Sequence, residues 1–197
     1  MHTTSYALTG ALLALLPVFV SPAAAQTEGR VSVGLSAGVI RPTDGSGTSA
    51  VLSPVVRLNP GDGWGLAGGV TWFDSDLVSG SDEEVASRIR IRPVMAGVSY
   101  TLRHDRLATS ISMLAGYSFN SARDLRPGYT VDIEDSFAVR PGVSLTYTLA
   151  RRVALIGFGG YLITRPDVTV RRFGVPIDES WNGDAVVLSA GLVYSLF

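Results

Sequence analysis

Beyond the first few residues the chain carries one histidine, His104, inside Arg103-His-Asp-Arg106. A histidine base within reach of a serine is what acyl transfer and lipid hydrolysis require. The tetrapeptide is short, charged and placed between two alternating segments, so it reads as a solvated turn, and no catalytic residue is assigned. The acidic run Asp74-Ser-Asp-Leu-Val-Ser-Gly-Ser-Asp-Glu-Glu84 has the composition of a calcium loop without its pattern. Val78 and Ser79 stand where an acid or amide and a glycine are needed, so a solvated loop is expected and no metal site. Gly157-Phe-Gly-Gly160 precedes neither a helix nor a lysine and signals strand curvature rather than phosphate binding. No cysteine is present, which excludes disulfides and thiolate ligands, and no cofactor is expected.

The remaining candidates are arginines. All 16 basic residues are arginine, set against 17 acids, and a net charge of -1 gives no attraction to nucleic acid. Arg57, Arg90, Arg92 and Arg140 interrupt stretches that are otherwise apolar or weakly polar. If those stretches cross a bilayer, an arginine turned to lipid at mid-depth costs about 2–4 kcal/mol. All four are therefore expected to face an interior, as a plug of paired side chains in a narrow bore rather than a charged gate or anion site, with Arg92 and Arg140 reaching carboxylates such as Asp74 or Asp135, or ordered water.

Which way each stretch faces depends on the elements that carry it. Residues 1–25 read as a secretory leader, with an apolar run from Ala7 to Val20 and an Ala-x-Ala site after which cleavage is placed at Ala25. That run is too short, and too interrupted by Gly10 and Pro17, to span a membrane as a helix. Residues 26–197 read as one all-β domain. Eight alternating segments are expected: 30–41, 49–59, 63–74, 87–102, 107–120, 136–149, 153–165 and 184–197. Connections after the second, fourth and sixth are tight, and the others are long.

The segments are inside out. In Ser136-Phe-Ala-Val-Arg-Pro-Gly-Val-Ser-Leu-Thr-Tyr-Thr-Leu149 one face carries Val139, Val143, Leu145 and Tyr147, and the other Arg140, Ser144 and Thr146. A soluble sheet would put long charged groups opposite its apolar face; here that face is small and weakly polar, as in a narrow barrel with lipid outside. Trp64, Tyr100, Tyr147 and Tyr194 fall near the tight-turn ends, and Trp72, Tyr117, Phe119 and Phe137 near the long-loop ends, as two aromatic girdles would. In the fourth segment the apolar set is odd-numbered at Ile89 and Ile91 but even-numbered from Val94 onward. This predicts a one-residue bulge at Arg92-Pro93. The phase of segment 153–165 stays open, because both its faces carry large residues.

These features together resemble the small eight-stranded outer-membrane barrels of the OmpX, OmpW, opacity-protein and OmpA transmembrane-domain type, over essentially the whole mature chain. The resemblance implies an eight-stranded antiparallel up-and-down transmembrane β-barrel in the cell outer membrane, with both termini on the periplasmic, tight-turn side. It implies a non-enzymatic structural or surface-interaction role in the envelope. The alternative it leaves is an OmpW-like passive channel or pocket for small or hydrophobic solutes, with lipid A modification less favoured. Tyr194 and Phe197 would carry the signal read by the barrel assembly machinery. The expected partners are outer-membrane lipid and lipopolysaccharide, whose phosphates arginines near the long loops could meet, and the barrel is expected to be monomeric.

Overall fold

The computed structural model describes residues 31–43, 47–58, 61–78, 85–124, 129–172, 175–180 and 182–196. The expected leader, Phe197 and the acidic run after Val78 lie outside them. All described regular structure is strand: β1 (Val31–Pro42), β2 (Ser49–Leu58), β3 (Gly63–Val70), β4 (Phe73–Val78), β5 (Val85–His104), β6 (Leu107–Asp124), β7 (Tyr129–Ile133), β8 (Ser136–Ala150), β9 (Val153–Thr164), β10 (Asp167–Arg172), β11 (Val175–Ser180) and β12 (Ala185–Ser195).

Eight antiparallel staves close a barrel in the order β3-β2-β1-β12-β9-β8-β6-β5, and β3 pairing with β5 completes the ring. Closure pairs the backbone groups that hydrocarbon could not hydrate. β4 prolongs the β3 stave, so the eight expected segments are the eight staves. The tight turns fit their residues. Asp105 takes a φ of 52° in the β5–β6 hairpin, a conformation an aspartate tolerates better than most side chains.

The expected bulge at Arg92-Pro93 is absent. β5 and β6 stay in one register from Ser87 opposite Asp124 to His104 opposite Leu107. The odd residues Ile89, Ile91, Pro93, Met95, Ser99 and Thr101 are all buried, whereas Arg88, Arg90, Val94, Val98, Tyr100 and Leu102 are all exposed. What changes at Arg92 is the surroundings, not the strand's phase. Below it the outer face is apolar and the inner face polar, as lipid demands; above it the order is that of a water-soluble sheet. Pro93 has a different effect: lacking an N–H, it cannot donate to the stave beside it, and there the third stave breaks between β3 and β4 without losing register.

A one-residue slip does occur, at Glu134–Asp135. Ala138 of β8 faces Thr164, but Ile133 of β7 faces Val168, so the β7–β8 side holds one residue more. β7, β10 and β11 form a three-stranded ribbon that the long loops were not expected to contain. β7 and β10 continue β8 and β9 beyond the long-loop ends of the staves, with Val131, Ile133, Val168 and Val170 turned inward and buried.

Candidate functional site

The lumen is layered. Nearest the tight turns it is polar: Ser32, Ser36, Ser53, Ser99, Thr101, Ser110, Ser144 and Thr146 all point in and are buried. Arg57 crosses this layer from β2, its Nη2 donating to Ser110 Oγ at 2.8 Å and its Nη1 to Thr146 Oγ1 at 3.2 Å, while Ser110 and Thr101 share a further bond of 2.8 Å. Its partners are neutral hydroxyls on β6 and β8, so the guanidinium ties three staves together.

Above it sits Arg140. Its Nη1 donates across the bore to Thr71 Oγ1 at 2.9 Å, and the same hydroxyl accepts from Ser53 Oγ at 3.2 Å. The guanidinium carbon lies 4.9 Å from the centre of the Phe158 ring, a cation–π distance. Phe158 fixes the open phase of its strand: Ile156, Leu162 and Thr164 are buried within the lumen, and Leu155 and Ile163 are exposed on the outer wall. The ring needs its glycines. A Cβ on Gly142 would lie 2.5 Å from ring carbons of Phe158, and one on Gly160 2.6 Å.

Toward the long loops the interior is apolar. Ile40, Val51, Phe73, Ile89, Ile91, Met95, Leu114, Leu162 and Val187 form one buried cluster with the ribbon's valines and Ile133, and Phe158 packs against it from below. Ile40, Ile89 and Ile91 are 0% exposed. The wall at this end is unpaired between β2 and β4: backbone bonding between β2 and the third stave ends at the Leu52–Trp72 bridge, above which β4 bonds only to β5 among the described strands.

Of the four arginines expected inside, two are there. Arg57 is 6% and Arg140 8% exposed. Arg90 is on the outside, its Nε 3.3 Å from Asp74 Oδ1, with the two side chains 57% and 43% exposed. Arg92 shares that outer face, reaching Ser121 Oγ at 3.4 Å. The physical reason is that Ile89 and Ile91 face the interior rather than lipid, so the arginines that alternate with them point out. Asp135, the other expected acceptor, bonds the Asn120 amide instead. Asp184, a residue that sequence reasoning passed over, is the buried acid of the rim: it accepts from the Thr164 amide and lies 3.8 Å from Arg165.

His104 is in the β5–β6 turn, exposed, with Asp105 Oδ2 3.7 Å from its Nε2. Tyr194 is on the outer face of β12, in the tight-turn girdle with Trp64, Tyr100 and Tyr147; Trp72, Tyr117, Phe119 and Phe137 form the other, and all eight are exposed. Trp64 meets Tyr100, and Tyr117 meets Phe119, edge to face with centroids 5.3 and 5.5 Å apart.

The sequence matches the family described as outer membrane protein beta-barrel domain over residues 11–196. Among solved structures, the outer membrane protein OprG from Pseudomonas aeruginosa superposes with a TM-score of 0.68 at 13% identity, covering 85% of this chain and 96% of that one. E. coli outer membrane protein W gives 0.58 at 13% identity, covering 86% and 97%, and a major outer membrane protein from Thermus thermophilus gives 0.57 at 16%, covering 83% and 97%. At such identities the likeness is one of fold. No curated protein sequence matches the chain.

Proposed function

This chain belongs to the outer membrane protein beta-barrel domain family and is an integral protein of the outer membrane; from that premise we propose that it acts there as a closed, non-enzymatic, monomeric barrel with a structural or surface-interaction role. The carrying observation is the filled lumen: the Arg57 tie, the Arg140–Phe158 pair and the apolar cluster follow one another along the bore. The exposed position of His104 in a tight turn, with Asp105 as its partner, supports the non-enzymatic part, because a general base has to reach a nucleophile. Tyr194, with Phe197 outside the described residues, remains the proposed assembly signal. Proteoliposomes loaded with a small sugar test the closed state. Release no faster than from protein-free vesicles supports it; release that scales with the amount of folded protein overturns it.

A second reading has its own observation. The apolar character of the interior nearest the long loops, next to an unpaired seam in the wall, suits entry of small hydrophobic solutes. Binding of a fluorescent apolar probe that is lost in Met95→Arg, a variant that charges this interior, would favour this reading over the purely structural one.

A further inference from the structure

Just above the long-loop girdle, the outer faces of β5 and β6 carry four arginines in rows: Arg88 opposite Arg123, Arg90 opposite Ser121, and Arg92 opposite Phe119. Among the described residues of these rows the acids are two, both on β4, Asp74 opposite Arg90 and Asp76 opposite Arg88, against four arginines. A groove of about 590 Å³ runs along this face beside the β2–β4 seam, lined by Ser49, Ala50, Trp72, Asp74 and Arg88, Arg90 and Arg92, with Phe73 at its inner edge. Among the described residues, the enclosed Nε of Arg92 has no acceptor and its Nη2 reaches Ser121 Oγ at a long 3.4 Å, while Arg90 bonds Asp74 through its Nε. Phe119 shares the lowest row, and directly beneath it lie Val94 and Tyr117; all three are exposed on the outer wall. The cluster therefore sits at the depth where the outer leaflet changes from acyl chain to charged headgroup.

We propose that Arg88, Arg90, Arg92 and Arg123 seat the phosphate of an outer-leaflet lipopolysaccharide molecule, with Trp72 and Phe119 against the border between its sugar and its acyl chains. Guanidinium groups pair with phosphate oxygens through two parallel bonds, and an aromatic rim suits the apolar edge of the same lipid. Lipid is favoured over a soluble polyanion because the groove adjoins the girdle rather than the loop tips. The site is independent of whether the lumen conducts.

Native mass spectrometry of the folded, detergent-held barrel tests this with diphosphoryl lipid A and its dephosphorylated form. The wild type should retain the diphosphoryl lipid at least about tenfold more tightly than the dephosphorylated one. Arg90→Gln with Arg92→Gln should erase that preference. Arg165→Gln, an exposed arginine at the same end of β9, should change it less than about twofold. Heat-dependent gel migration establishes that each variant is folded. Equal retention of the two lipids, equal loss in the Arg165 variant, displacement by millimolar inorganic phosphate, or arginine-dependent binding of a sulfated glycan in place of lipid A would each overturn the proposal.

Discussion

The guanidinium carbon of Arg140 lies 4.9 Å above the Phe158 ring, and that ring rests on Gly142 and Gly160, one glycine from each of the strands that bear the pair. An alanine at Gly142 would put its Cβ 2.5 Å from the ring, so the aromatic must move. Gly142→Ala is expected to cost about 1–3 kcal/mol by overpacking. Phe158→Ala should itself cost about 3 kcal/mol. The double variant should lose less than the two singles combined, since without the ring the alanine has space. Urea unfolding in phospholipid vesicles, followed by tryptophan fluorescence, supplies the cycle; strict additivity would separate ring from glycine.

Arg57 and Arg90 looked equivalent in sequence and are not. Arg57 is buried and bonded to Ser110 and Thr146, whereas Arg90 is solvated beside Asp74. Arg57→Gln should destabilise the barrel by about 1–3 kcal/mol, the range for losing buried bonds to a charged group. Arg90→Gln should stay within about 0.5 kcal/mol, as exposed ion pairs do. Parallel urea titrations decide it, and similar losses for both would contradict the assignment of Arg90 to the outer face.

Ile91 tests the change of surroundings along β5. It is 0% exposed in the apolar cluster, although an unbroken inside-out pattern would have given it to lipid. Ile91→Ala should therefore leave a cavity and cost about 2–4 kcal/mol. On a lipid-facing wall the same truncation would leave no cavity and cost far less. The measured unfolding free energy separates the two.

A depth series places the lipid boundary. Val94 is the first outward apolar residue below Arg92, and Val98 lies two outward positions deeper. Val98→Arg should cost about 2–4 kcal/mol and Val94→Arg no more than about 1 kcal/mol, following the fall in penalty toward the interface. Equal penalties would mean that the boundary is not at Arg92.

The strand count, the closed topology, the two girdles and the lumenal positions of Arg57 and Arg140 were legible because alternation and aromatic placement depend only on a strand's two faces. Arg90 and Arg92 were not. Alternation shows which residues share a face, and deciding whether that face looks inward requires knowing whether lipid or water lies outside; the answer changes within β5. The Arg140–Phe158 contact joins separate strands and depends on the phase of β9, which large residues on both its faces concealed. The ribbon escaped notice because its alternating runs, such as Val168 and Val170, are short.

Single-channel recording of the refolded wild-type barrel in a planar bilayer, beside Phe158→Ala, tests the closed lumen most directly. The wild type should give a silent trace while the variant, with the ring removed from above Gly142 and Gly160, opens at least transiently. Reproducible conductance steps from the wild-type protein would contradict a lumen sealed by Arg140, Phe158 and the apolar cluster above them.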